Sequence, residues 1–112
     1  MNPVEQFRHL AHQAAEALAD QFCAEANLPR GAHVRTFWFT TDTKGALECQ
    51  QMSLTLGVQG CLTRVFSPTF HLPGGPVESL VLVVSGPLDV LDEAQATFMA
   101  AAPSTTLAGG AQ

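Results

Sequence analysis

From Asn2 to Asn27 apolar side chains return at helical spacing. At about 100° per residue, Val4, Phe7, Ala11, Ala14, Leu18 and Phe22 fall on one stripe, and Glu5, His9, His12, Glu16 and Asp20 fall opposite. Pro3 lies just inside the start, Glu5 in the first turn, and Leu28-Pro29 beyond the end, which is ordinary helix punctuation. The pattern predicts one amphipathic helix some 24 residues long, roughly 36 Å at about 1.5 Å per residue, so it must cross or overhang any sheet it covers.

After His33 the period changes. His33 to Thr41 (HVRTFWFTT) crowds β-branched and aromatic residues and predicts a strand, with Asp42-Thr43-Lys44-Gly45 as a hairpin turn. Residues 46–56 (ALECQQMSLTL) are read as a second strand, although the alternation is imperfect: Met52, Leu54 and Leu56 share a face with Glu48 and Gln50. Gly57 to Gly60 then reads as a tight turn and residues 61–66 (CLTRVF) as a third strand. Residues 67–78 (SPTFHLPGGPVE) are punctuated by Pro68, Pro73, Gly74, Gly75 and Pro76 and read as a long connecting loop.

Leu80 to Ser85 (LVLVVS) is apolar on both faces and makes the fourth strand. A second helix follows Gly86-Pro87, from Leu88 to Ala101, with Leu88, Leu91, Ala94, Phe98 and Met99 or Ala102 directed inward. The expected fold is α+β, in the order α-β-β-β-β-α: a long N-terminal helix, a four-stranded antiparallel meander and a short C-terminal helix. It occupies residues 1–102 as one domain, and residues 103–112 have too little to bury and read as a disordered tail. Because Phe37, Trp38 and Phe39 are adjacent and must alternate sides, both faces of the sheet need cover. The second helix looks too short to cover a whole face, so the reading expects a homodimer.

Composition narrows the function classes. Of 112 residues, 46% are hydrophobic and 13% charged, enough for one packed core without disulfides or metal. Ten acids against five bases give a formal charge of −5, which argues against a duplex nucleic-acid grip and a polybasic membrane anchor. No apolar run approaches the about 20 residues of a spanning helix. Glu5, Arg8, His9 and His12 interrupt the place where a secretory signal would put its apolar stretch, so a cytoplasmic location is expected. Cys23, Cys49 and Cys61 are odd in number and lack CxxC spacing, as reduced buried thiols would.

Few residues suggest chemistry. Glu5, His9, His12 and Glu16 lie on one helical face, where His9, His12 and Glu16 are candidate ligands for a divalent metal, yet the same spacing is ordinary on a solvated face. No strained Gly-x-Ser-x-Gly elbow is present, and a Cys–His nucleophile would need His33 or His71 beside a thiol. Asp89, Asp92 and Glu93 are explained by a helix start, and Pro73-Gly74-Gly75-Pro76 lacks the donors of a phosphate cradle. Phe37, Trp38 and Phe39 with Arg35 and Arg64 suggest a stacking platform, but residues 65–112 carry four acids and no base.

No cofactor is therefore expected. The leading expectation is a small, acidic, non-enzymatic protein–protein interaction module, a regulator, inhibitor or chaperone-like protein, acting as a homodimer. Phe70 and His71 on the proline-flanked loop, and Trp38, are its candidate partner contacts. The alternative is a small-molecule or divalent-metal binder using a helix–sheet pocket or the Glu5/His9/His12/Glu16 face.

Overall fold

The computed structural model describes residues 2–29, 31–72 and 74–101. The first helix, α1 (Pro3–Ala26), starts where the Asn2 side chain accepts the Glu5 N–H at 2.8 Å, and it ends on Asn27 in a left-handed conformation. Strand β1 (Val34–Phe39) leads into α2 (Thr43–Val58) and β2 (Leu62–Phe66). A short hairpin of β3 (Thr69–Leu72) and β4 (Gly75–Glu78) precedes β5 (Leu80–Ser85) and the last helix, α3 (Leu88–Ala101). The α+β class and antiparallel pairing are as expected, and α1 and α3 stand where the periodicity puts them.

Between the terminal helices the structure corrects three expectations. Residues 46–56 are helical, not a strand. Asp42 is an N-cap rather than a turn residue, its carboxylate accepting the Gly45 N–H at 2.8 Å. Gly45, Cys49, Met52 and Leu56 recur at i, i+4, i+7 and i+11 and point at the sheet, and Ala, Leu, Glu, Gln and Met are strong helix formers.

Second, residues 67–78 are not a structureless loop but contain the β3–β4 hairpin, in which Pro76 stands opposite His71 and Gly75 takes φ 121°. A two-stranded ribbon tolerates a proline because each strand has a free edge. Third, the main sheet is not a meander of consecutive strands. Its order is β1-β5-β2, both outer strands antiparallel to β5. β1 and β2 are therefore parallel to one another, joined through α2, with the last strand inserted between them.

β5 accordingly carries the core, with Val81, Leu82, Val83 and Val84 fully buried. Val81 and Val83 face α1, where Phe22, Leu18, Trp38 and Phe66 complete one cluster. Leu82 and Val84 face α2 and α3 with Phe37, Phe39, Cys49, Leu56 and Leu91. Both apolar faces are thus covered by this chain's own helices. The expectation that a second copy must cover a bare sheet face falls away, because α2 supplies the missing layer. Residues 103–112, expected to be disordered, lie outside the described residues. Among the described residues no helix is long and apolar enough to cross a membrane.

Candidate functional site: a groove between two helices

α2 lies over β5 and β2, while α3 rests on β1 at the sheet edge. Between them runs a groove of about 690 Å3. Its apolar floor is Phe39, Met52, Leu56, Val90, Ala94 and Phe98. Phe98 is held edge-on by two rings of β1, with centroids 5.4 Å from Phe37 and 5.3 Å from Phe39, a favourable quadrupolar arrangement. On the outer side, Arg35 pins α3 to β1 through Asp92 at 2.7 Å; this partly exposed pair orients the helix more than it stabilises it.

The rim is polar, with Asp42, Lys44, Glu48, Gln51, Thr55 and Gln59 along the α2 side and Glu93 and Thr97 on α3. Three carboxylates against one ammonium leave it net negative. Asp42 sits where β1 passes into α2. The Gly45 N–H, then the Thr40 hydroxyl at 2.7 Å and the nearby Lys44 charge, hold its carboxyl below the ordinary carboxylate range. The close start of α2 depends on Gly45, since a Cβ there would lie 2.1 Å from the Thr40 carbonyl oxygen.

The residues singled out from the sequence lie elsewhere, Trp38 excepted. His9, His12 and Glu16 are exposed on the outer face of α1, with His12 Nε2 3.5 Å from Glu16. Among the described residues no group of three or more His, Cys, Asp or Glu is arranged to hold a metal ion. Phe70 is only 8% exposed. It stacks on Trp38 at 5.6 Å and meets the edge of Phe7 at 5.8 Å, so the β3–β4 hairpin is fastened to α1 and β1 through this ring. His71 beside it is exposed, and Trp38 both joins this cluster and lines the groove.

Cys49 and Cys61 are buried and desolvation pushes both thiols up from their ordinary pKa, while His33 and His71 are exposed, so no activated Cys–His pair forms from these residues. The sequence signal for the groove residues Met52, Leu56, Val90, Ala94 and Phe98 as a site is the helical spacing of Cys49, Met52 and Leu56, which a strand reading of residues 46–56 hides. No protein-family model matches the chain, and no curated protein or solved structure is significantly similar to it.

Proposed function

We propose that this protein is a non-catalytic binding module whose α2–α3 groove receives an apolar, positively flanked segment of another protein. The observation that carries the reading is the apolar floor beneath a rim where Asp42, Glu48 and Glu93 outnumber Lys44. The 16 residues of α2 extend about 24 Å, the length of four helical turns, which suits an amphipathic helix presenting anchors at i, i+3, i+4 and i+7. Basic residues flanking those anchors meet the rim carboxylates, and the chain's net charge of −5 favours their approach.

Labelled helical peptides with identical Leu/Phe anchors and either Lys or Glu flanks test this by fluorescence anisotropy. The Lys-flanked peptide is expected to bind saturably, at least tenfold more tightly than the Glu-flanked one, and to weaken with salt. Ala94→Phe, which fills the floor, is expected to abolish binding. Equal affinity for both peptides, or none with either, overturns the proposal. A second reading, a small apolar ligand in the same groove, is supported by the volume, which lies within the about 300–1,000 Å3 of small-molecule sites. Native mass spectrometry of protein purified from its own host separates the two by whether a small mass or a second polypeptide is retained.

A further inference from the structure

β1 stands at one end of the β1-β5-β2 order and pairs with β5 on one side, which leaves its outer row of backbone N–H and C=O groups free of any described strand. The other edge strand, β2, has most of its side chains open to solvent, whereas every residue of β1 is buried or half-buried. An open edge whose strand is covered on both faces is a slot.

α3 overhangs this slot. Its residues Leu88, Asp92, Gln95 and Met99 are spaced i, i+4, i+7 and i+11, within about 60° of one another and about half a turn from Val90, Glu93 and Thr97 on the groove flank. Arg35 of β1 reaches up to Asp92 and Gln95 in the middle of this flank, and Leu88 and Met99 at its ends are 43% and 65% exposed. The flank turned away from α2 therefore projects past the sheet edge.

We infer that residues 104–108 (STTLA) of this chain fill the slot as a strand antiparallel to β1. Three observations select this segment. First, α3 ends in the right place: Arg35 meets Asp92 and Gln95 while Phe37 and Phe39 meet Phe98, so α3 runs beside β1 in the same direction and its last turn stands at the Phe39 end. Residues 102–112 follow, and a chain turning back there within the about 2–6 residues of such connections runs antiparallel to β1.

Second, the crossover has a precedent within the molecule. α2 carries the chain from β1 across β5 to β2, and α3 lies on the same face of the sheet but follows a strand of opposite direction. A connection of the same hand accordingly moves the other way, from β5 across β1 to the open edge. Third, the segment suits an edge. Pro103 cannot continue a helix, Thr105 and Thr106 favour strands, and Gly109-Gly110 follows. Its one large apolar residue, Leu107, meets Met99. The segment has little to bury, and an added strand needs little, because main-chain hydrogen bonds attach it. A second copy of the chain fits the slot less well, since it brings its own α3 into the space that one α3 already overhangs.

Amide hydrogen exchange of the full chain, followed residue by residue by NMR, tests the assignment. Alternate amides of β1 point away from β5 and are expected to be protected in the native chain. Consecutive N–H groups of a strand point to opposite sides, so one of Thr105→Pro and Thr106→Pro removes a bond to β1 whatever the register. That variant is expected to speed exchange of the outward β1 amides at least tenfold while the β5 amides stay equally protected. Nuclear Overhauser contacts are expected between Leu107 and Met99. Fast exchange of the outward amides in the native chain overturns the inference, as does protection indifferent to both prolines. Protection that grows with protein concentration overturns it in favour of a second copy, and contacts from Leu107 to Met52 or Leu56 overturn it by seating the segment in the groove.

Discussion

The two faces of the central sheet are closed in different ways. On one face a single 24-residue helix crosses the strands, and the β3–β4 hairpin adds Phe70, stacked between α1 and β1 by Phe7 and Trp38. On the other face two shorter helices share the work, and the space between them is the groove. Each face buries two alternate residues of the same strand, Val81 and Val83 on one side and Leu82 and Val84 on the other. The sheet presents apolar residues in both directions, and on the side shared by two helices a strip of floor stays open between them.

Removing one aromatic from each face sharpens this comparison most. Phe70→Ala empties a nearly enclosed site and is expected to cost about 3 kcal/mol, whereas Phe98→Ala widens a groove already open to solvent and is expected to cost about 1–2 kcal/mol, both read from urea unfolding. The same pair inverts in peptide binding, which Phe98→Ala removes and Phe70→Ala retains wherever the protein is folded. Equal losses of stability would mean that the groove face is as closed as the other.

A smaller effect comes from Gly45→Ala. The new Cβ collides with the Thr40 carbonyl, which the backbone must relieve by lifting the start of α2, at an expected cost of about 2 kcal/mol. Peptide affinity should fall with it, because one wall of the groove moves. Retained affinity would show that the first turn of α2 is not part of the wall.

The smallest effect is a pH dependence from the α2 cap. The folded pKa of Asp42 is depressed by the Gly45 N–H and the Thr40 hydroxyl below its unfolded value, about 3.9. Its contribution is therefore fully present above about pH 4 and is lost as the pH falls through the folded pKa. Asp42→Asn keeps an acceptor at the cap and removes this acid-side loss. Thermal unfolding between pH 3 and 5 should fall more steeply for the native chain than for Asp42→Asn; parallel curves would detach the cap from the acid sensitivity.

The same contrast explains how much was legible in the sequence. α1 was readable because its outward positions, Glu5, His9, His12, Glu16 and Asp20, are uniformly polar against an apolar stripe. α3 was bounded by Gly86-Pro87 ahead of it and has Leu91, Ala94 and Phe98 turned inward. α2 defeated the periodicity because Leu47, Leu54 and Val58 stand opposite Cys49, Met52 and Leu56, so apolar residues occur on two sides and no single stripe emerges. Asp42-Thr43-Lys44-Gly45 suits a turn and a helix cap equally, and only packing against Thr40 separates them. The groove is hidden for the same reason, because one of its walls is α2. The β3–β4 hairpin was hidden by its glycines and prolines, which punctuate loops and narrow ribbons alike.

The place of β5 has a consequence for how the chain comes together. β1 and β2 do not touch as neighbours; each waits for the strand between them, which is the last of the five along the chain. A chain elongating from its N-terminus therefore carries VRTFWF and LTRVF without their partner until residues 80–85 have been added. Every pairing of the main sheet is made at once, late and over long sequence separations, which favours slow, cooperative assembly. Fragments ending before Leu80 hold two apolar strands with nothing native to join them, and such fragments are expected to associate with one another rather than fold.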